Sequence, residues 1–224
     1  MTVMSISETP PHVSLPQDRP LTVDDLANTP DDGRKYELAD GRLDVSAAPV
    51  SLPTRAEGRL VVHLGISAPE EFEVHPSPGM TLNDMRTRHR IPDVAVLRCD
   101  ERDSPYQTTP PALVVEVVSP ESVFRDNHTK RREYAEFGVP AYWVVSPALE
   151  KPALIEFRLV DGEYREVAQA VDTDVFETDL PFPVRLVPRW LVQDGPWKRH
   201  IGGEEQAAPA EQAEDAEATE AAEE

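Results

Sequence analysis

Short apolar runs rich in Val, Ile and Leu recur along this chain of 224 residues and predict the strands of a β-sheet. The clearest pattern is KYELADGRLDVS, in which two alternating runs flank Asp40 and Gly41, a dipeptide that favours a tight hairpin turn. The polar stretch RTRHR, residues 86–90, predicts a loop. Further candidate strands cover residues 71–74, 80–82, 91–98, 112–118, 141–146, 153–160 and 164–168.

Helical patterns occur at two places between these strands. Apolar residues at helical spacing predict a helix over residues 53–67. A second helix is predicted over residues 126–137, because Asp126 can begin it and Gly138 follows its end. Strands and helices do not alternate regularly, so the pattern predicts a mixed α/β (α+β) fold with a central mixed sheet flanked by helices and an N-terminal β-hairpin.

The two ends of the chain differ in composition from the middle. Residues 1–18 are rich in Pro, Ser and Thr and predict a disordered arm. Residues 194–224 predict a disordered acidic tail, because the last 22 positions hold nine acids and no basic residue. One domain, residues 19–193, is expected between them.

The overall charge limits the classes of function. The chain has 42 acidic and 22 basic residues, a net charge of -20, which excludes a uniformly basic DNA-coating protein. A single cysteine, Cys99, excludes an internal disulfide and a Cys-type zinc cluster, as is typical of a cytoplasmic protein. We find no signal peptide and no run near the roughly 18 apolar residues of a membrane span. A cytoplasmic protein without membrane contact is therefore expected.

An acid in an apolar strand is the first sign of a site. Glu116 lies in the middle of PALVVEVVS, and burying an unpaired carboxylate costs several kcal/mol, so it should be protonated, paired, or facing a metal or cleft. Asp93 heads another predicted strand, although an acid after proline is also common turn chemistry. Two acids on one face of adjacent strands would need a cation between them. Hard oxygen ligands suit Mg²⁺ or Mn²⁺.

The predicted helix over residues 126–137 adds a basic group. At helical spacing Asp126, Lys130, Tyr134 and Phe137 share one face, and the two aromatic residues predict that this face packs against the sheet. Lys130 is then directed inward and Arg131 outward. An inward lysine could neutralise the two acids, or it could hold a nucleophilic water and the charge that develops on a phosphate.

Several short motifs, in this order and spacing, resemble the Uma family of predicted restriction endonucleases, part of the PD-(D/E)xK nuclease superfamily. The resemblance covers residues 19–192 and implies a restriction-endonuclease-like core. The motifs are Tyr36-Glu37-Leu38, Asp40-Gly41-Arg42-Leu43, Pro92-Asp93-Val94-Ala95-Val96, Val115-Glu116-Val117-Val118-Ser119-Pro120, Asp126, Lys130, Tyr134 and Gly138-Val139-Pro140-Ala141-Tyr142-Trp143.

The resemblance implies a metal site. The aspartate of the superfamily motif falls on Asp93 and its second acid on Glu116. The backbone carbonyl of Val117 would complete the ligands of a magnesium or manganese ion. Glu37 resembles an additional N-terminal acid that joins this site.

The chain departs from the superfamily pattern at two positions. The lysine expected two residues after the second acid is Val118 here, so Lys130 of the following helix would supply the amine. A histidine common after the first hairpin is replaced by the stretch Pro53-Thr54-Arg55, and His63 would have to supply any such role from farther along.

The implied activity is metal-dependent endonucleolytic cleavage of DNA. Ser119, Asp126 and Tyr134 would support the site, the first two by capping or orienting the turn and the helix. Seven of the 22 basic residues lie in residues 86–90 and 125–132, which would form a local basic rim. The predicted nucleic-acid contacts are Arg86, Arg88, Arg90, Arg125 and Arg131.

The candidate residues also have structural alternatives. Glu116 could be a buried acid paired with an arginine. Lys130 could be a solvated helix residue, and Glu37 could be a cross-strand partner of Arg42 or Lys35.

The whole domain has an alternative as well. It could keep the nuclease fold and act as a catalytically degenerate binding or regulatory module, because the strand lysine is missing and the surface is acidic. The acidic tail could mimic DNA and inhibit the site. The oligomeric state stays open, a homodimer included.

Overall fold

The computed structural model describes residues 15–46, 51–101, 105–118 and 126–203, which fall into two compact units. The first, the hairpin unit, contains residues 15–46, 79–91 and 105–108. The second, the sheet unit, contains residues 51–78, 92–101, 109–118 and 126–203. The predicted N-terminal arm up to residue 14 and the last 21 residues of the acidic tail lie outside the described residues.

The elements follow one another as helices and short strands. In chain order they are a 3-10 helix Val23–Asn28, β1 Tyr36–Ala39, β2 Arg42–Val45, α1 Ser51–Ser67, β3 Phe72–Pro76, β4 Met80–Thr81, β5 His89–Arg90, β6 Val94–Arg98, β7 Leu113–Val117, α2 Asp126–Phe137, β8 Ala141–Ser146, β9 Ala153–Val160, β10 Glu163–Val171, β11 Phe176–Thr178, β12 Val184–Leu186, α3 Arg189–Val192 and α4 Trp197–His200. No helix among the described residues is long and apolar enough to cross a membrane.

The hairpin unit is a four-stranded antiparallel sheet in the order β2-β1-β5-β4. The predicted hairpin is confirmed, and Asp40 and Gly41 form its turn with φ of 49° and 77°. A side chain at Gly41 would also place a Cβ 2.5 Å from the Cβ of Pro20. The predicted loop at residues 86–90 is wrong in part, because His89 and Arg90 form β5 between two other strands.

The sheet unit is built on six strands in the order β10-β9-β8-β7-β6-β3. Only β7 and β8 are parallel, and the connection between them contains α2; the other pairs are antiparallel. Strand β7 therefore lies between β6 and β8 in the interior of the sheet, which explains its continuous apolar run. This architecture is the predicted mixed sheet flanked by helices.

The two faces of this sheet have different partners. On one, the α1 face, apolar side chains pack against α1, β11 and β12. The opposite, or α2, face holds Val114, Glu116 and Tyr142, and the ring of Tyr142 lies 5.6 Å from that of Tyr134 in α2. The α1-face core includes Val94, Val96, Leu113, Val115, Trp143, Val145, Ala56, Leu60 and Leu64.

The fold continues beyond the predicted end of the domain. Helix α4 follows residue 193, and Ile201 is buried while its carbonyl accepts a hydrogen bond of 2.7 Å from the Val187 amide. The prediction that a disordered tail begins at residue 194 is wrong for residues 194–203. Strands β11 and β12 and helices α3 and α4 were not predicted either.

Candidate active site

Adjacent strands of the sheet unit bring Asp93 and Glu116 together. Val94 pairs with Val115 in antiparallel register, so the next position places Asp93 directly opposite Glu116. Directly opposed residues point to the same face, with Cβ atoms about 4.5–5.5 Å apart. The Asp93 carboxylate also accepts a hydrogen bond of 2.6 Å from the Val117 amide. Both acids therefore lie on the α2 face at one end of β7.

Glu116 is a buried acid with a charged partner. Its side chain is 7% exposed, and the Lys130 amine lies 3.2 Å from Oε1 and 3.4 Å from Oε2. The hydroxyl of Tyr134 donates a hydrogen bond of 2.7 Å to Oε1. A cation and a neutral donor thus offset the cost of burying this carboxylate.

Helix α2 presents both donors from one face. Lys130 and Tyr134 are four residues apart and project side by side toward the sheet. Tyr134 is fully buried, whereas the Lys130 side chain is 15% exposed, so its amine lies near the edge of the site. Tyr142 lies beneath Tyr134, and burial first, then the negative charge of Glu116, raises its pKa well above the usual value.

Glu37 lies in the hairpin unit, where it pairs with Arg90. The two side chains are each 2% exposed and approach to 3.4 Å. Glu37 also accepts a hydrogen bond of 2.8 Å from the Ile91 amide. Asp44 lies directly across the hairpin from Glu37, so neither Arg42 nor Lys35 is its register partner. Metal binding by Glu37 stays a prediction.

The predicted basic rim is only partly accessible. Arg90 is buried, so it cannot contact a phosphate as placed and is removed from the predicted set. Arg86 bonds Asp24 at 2.7 Å, and Arg88 bonds Asp40 at 2.5 Å.

Arg131 is held against the sheet unit. Its guanidinium donates to the Tyr164 carbonyl at 2.8 Å and lies 4.0 Å from the ring centre of Phe157, so it does not point freely outward as predicted. Arg125 and Ser119 lie outside the described residues. Asp126 begins α2, as predicted, but its side chain is not described.

A model of the Uma2 family, described as "Putative restriction endonuclease", matches residues 23–189. The chain belongs to the Uma2 family. A crystal structure from Anabaena variabilis ATCC 29413, described as a putative nuclease belonging to DUF820, shares the fold with a TM-score of 0.55 and 13% identity, over 71% of this chain and 89% of that chain. A comparison with curated proteins found no match. Uma2 membership supports a nuclease.

The donor set of this Uma2 chain fits a hard divalent cation. Asp93 and Glu116, with the carbonyl of Val117, would supply oxygen ligands, and Mg²⁺ needs only one or two carboxylates because it keeps several of its waters. Across the described ranges, no cluster of three or more His, Cys, Asp or Glu side chains could hold a metal. Two carboxylates and one carbonyl are oxygen ligands of the kind that Mg²⁺ and Mn²⁺ prefer.

His63 does not replace the histidine that is missing from the Uma2 pattern. It projects from the buried side of α1, where its Nε2 lies 2.6 Å from the carbonyl oxygen of Arg185. Burial lowers its pKa, and the hydrogen bond to Arg185 opposes this shift. Because α1 packs on the other face of the sheet, His63 lies away from Glu116 and Lys130.

Two contacts of the site were not predicted from the sequence. The Val117 amide that orients Asp93 is a backbone group and leaves no signal in the residue types. Tyr142, which packs beneath Tyr134, could have been found, because alternation along β8 places it on the same face as Val144, the register partner of Glu116.

Proposed function

We propose that this chain is a metal-dependent endonuclease that hydrolyses phosphodiester bonds of DNA. One observation carries the proposal: the amine of Lys130 from α2 contacts Glu116, and the next residue of β7, Val117, donates its amide to the Asp93 carboxylate. Two acids that can hold a metal ion and an amine that can stabilise developing negative charge suit metal-assisted phosphodiester hydrolysis. Lys130 would take the role of the lysine that Val118 replaces.

The residues have distinct proposed roles. Asp93 and Glu116, with the Val117 carbonyl, would hold Mg²⁺ or Mn²⁺. When bound, the ion would supply Lewis acidity, polarising the phosphate and lowering the pKa of a bound water. Lys130 would orient the attacking water and stabilise the negative charge that develops on the phosphate.

The surrounding hydrogen bonds support this arrangement. The Val117 amide fixes the Asp93 carboxylate at 2.6 Å, and the Tyr134 hydroxyl fixes Glu116 at 2.7 Å. Carboxylates held in this way lose less freedom when they bind a cation. Lys130 meanwhile balances part of the negative charge of the two acids.

The choice of DNA as substrate rests on local charge. The net charge of -20 opposes nucleic-acid binding, but exposed charges more than about 8 Å apart are largely screened at physiological salt. The proposed phosphate contacts are Arg86, Arg88 and Arg125. Arg131 could contact a phosphate only after its hydrogen bond to the Tyr164 carbonyl breaks. Binding should therefore weaken steeply as salt rises.

A catalytically degenerate binding or regulatory module is the second candidate. It is favoured by Val118 at the lysine position and by the ion pairs that already occupy Arg86 and Arg88. Such a protein would bind nucleic acid without cleaving it.

The test is cleavage of supercoiled plasmid DNA with Mg²⁺ or Mn²⁺, beside single-stranded DNA and RNA of the same sequence. Asp93→Asn and Glu116→Gln should abolish cleavage while circular dichroism and thermal unfolding show a retained fold. An Asp100→Asn variant is the matched control, because Asp100 is exposed and should cleave like the wild type. Cleavage that survives both site substitutions would defeat the enzyme assignment, and preferential cleavage of RNA would defeat the choice of DNA.

A further inference from the structure

The Lys130 amine lies against both carboxylate oxygens of Glu116. Its distances are 3.2 Å to Oε1 and 3.4 Å to Oε2, so the amine is shared between the two oxygens rather than bound to one. The Glu116 side chain is 7% exposed and the Lys130 side chain 15%, so water screens their attraction only weakly. The ammonium group of Lys130 is therefore the counter-ion of Glu116.

A divalent cation needs the same oxygens. The proposed metal site consists of Asp93, Glu116 and the Val117 carbonyl, and Mg²⁺ binds carboxylate oxygens at about 2.0–2.1 Å. An ammonium group within 3.4 Å of both Glu116 oxygens obstructs that approach and repels the ion, because both groups are positively charged. The amine and the ion are therefore alternative partners of Glu116.

Two other donors to the acids are compatible with an ion. The Tyr134 hydroxyl donates to Glu116 Oε1 at 2.7 Å, and the Val117 amide donates to Asp93 Oδ2 at 2.6 Å. Both donors are neutral, and each carboxylate oxygen has a second lone pair for another partner. Of these two donors and Lys130, only Lys130 carries a charge that opposes the ion.

Lys130 can leave Glu116 without disturbing the packing of α2. Its side chain reaches the edge of the site, and a lysine can place its amine in water by rotating about the bonds of its four-carbon stem. Tyr134, by contrast, is fully buried, with its ring 5.6 Å from that of Tyr142. Helix α2 therefore presents one donor that can move and one that is fixed.

We propose that Lys130 and the divalent cation compete for Glu116, so that binding of the ion releases the amine into the site. This inference rests on the proposed metal-dependent function and adds an order of events to it. The Lys130–Glu116 ion pair holds the ion-free protein in a resting state. Only the released amine is available to orient water and to stabilise negative charge on a phosphate.

The competition has opposite consequences for ion binding and for catalysis. Removing the amine should strengthen ion binding, because Glu116 no longer has a competing partner, and should slow cleavage, because the amine no longer acts on water or phosphate. A lysine that only held Glu116 in place would instead weaken ion binding when removed. The direction of the change in ion affinity therefore identifies the competition.

Mn²⁺ binding to the full chain without nucleic acid, followed by electron paramagnetic resonance of the free ion, tests the proposal. Lys130→Met should lower the Mn²⁺ dissociation constant about tenfold or more, a coupling of ordinary size between two competing partners. Lys130→Gln keeps a neutral donor to Glu116, so it should also bind Mn²⁺ more tightly and serves if Lys130→Met does not fold. An unchanged or higher dissociation constant in the folded neutral variants would overturn the proposal.

Two control variants separate the competition from a general effect of charge. Lys130→Arg keeps the positive charge and should not gain affinity for Mn²⁺. Lys151→Met removes one charge at an exposed lysine of the same unit and should leave the dissociation constant unchanged. A gain in Lys151→Met equal to that in Lys130→Met would overturn the proposal, because net charge alone would then explain both.

Unfolding in denaturant, with a chelator or with excess Mg²⁺, gives a second readout. With the chelator, Lys130→Met should be less stable than the wild type, because Glu116 is buried without its counter-ion. Excess Mg²⁺ should remove most of this deficit, since the ion then supplies the positive charge and stabilises the variant more than the wild type. In a Glu116→Gln background, Lys130→Met should cause no such deficit. A deficit that Mg²⁺ leaves unchanged would overturn the exchange of partners.

Asp93→Asn distinguishes failure of the competition from failure of the metal site. If Asp93→Asn abolishes Mn²⁺ binding while Lys130→Met binds as the wild type does, the metal site stands and the competition is wrong. If no variant binds Mn²⁺, or Asp93→Asn binds it as well as the wild type, the proposed metal-dependent function fails and the competition fails with it.

Discussion

Helices α1 and α2 lie on opposite faces of one sheet and contribute opposite kinds of side chain to it. Helix α1 buries Leu60 and Leu64 in an apolar core, whereas α2 directs Lys130 and Tyr134 at a buried acid. Apolar packing needs no specific partner, but each buried polar group needs one. The α1 face therefore contributes mainly stability, and the α2 face holds the residues of the proposed active site in a fixed arrangement.

The largest expected difference between the α1 and α2 faces is in the rate of DNA cleavage when their residues are substituted. Lys130→Met should lower the rate of DNA cleavage by about 10²–10⁴-fold, because it removes the amine proposed to orient water. It should also lower the free energy of unfolding, since Glu116 loses its cationic partner. Cleavage rates and denaturant unfolding measure the two effects. Lys151→Met, at an exposed lysine, is the control, and a Lys130→Met enzyme with wild-type activity would contradict the proposed role.

The next effect concerns the apolar face. Leu60→Ala should lower the free energy of unfolding by about 2–5 kcal/mol through lost burial and a cavity. Val62→Ala, on the outer side of the same helix, should cost less than about 1 kcal/mol, because Val62 is partly exposed. Urea unfolding of the two variants compares them. If Leu60→Ala and Val62→Ala lowered the free energy of unfolding by the same amount, the outer side of α1 would have to be covered within the monomer.

The sequence predicts the elements with long periodic patterns and misses those that depend on distant partners. Strand β7, helix α2 and the inward direction of Lys130 follow from spacing alone. Strand β5 is only two residues long and polar, and it is stabilised by pairing with β1 and β4. Arg90 is buried because it pairs with Glu37, which lies 53 positions away. No local pattern contains that contact.

The C-terminal end of the fold could not be predicted from local sequence for the same reason. Helix α4 has four residues, and Trp197 and Ile201 are the only large apolar residues in the stretch 194–203. The burial of Ile201 depends on Val187 and on the core beneath, which the local sequence cannot supply. Because the residues after 203 are strongly acidic, the sequence predicted a disordered tail from residue 194 onward.

On the α2 face, Tyr134 is proposed to position Glu116 without taking part in catalysis, and its substitution should have a smaller effect. Tyr134→Phe removes the hydroxyl that donates to Glu116 and keeps the ring that packs on Tyr142. The free energy of unfolding should fall by about 1–3 kcal/mol, as for a hydrogen bond to a charged group. Cleavage should need a higher Mg²⁺ concentration for half-maximal rate, with less change at saturation. An unchanged Mg²⁺ dependence would contradict a role in orienting Glu116.

The smallest effect is the pH dependence that α1 contributes through His63. Because burial lowers its pKa, folded His63 binds fewer protons than the unfolded chain once the pH falls below about 6.5. Its contribution to stability is complete above that pH and declines as the pH falls. His89 in the hairpin unit acts in the same direction, since burial lowers its pKa to about 4.

His63→Gln should therefore flatten the fall in the free energy of unfolding between pH 7 and pH 5 without removing the part due to His89. Unfolding in urea at several pH values, for both proteins, measures the difference in slope. Val62→Gln, at an exposed and non-titrating position of the same helix, is the control and should leave the slope as in the wild type. If His63→Gln kept the wild-type slope, the hydrogen bond to the Arg185 carbonyl would fully offset the effect of burial on the His63 pKa, and folded His63 would take up its proton over the same pH range as in the unfolded chain.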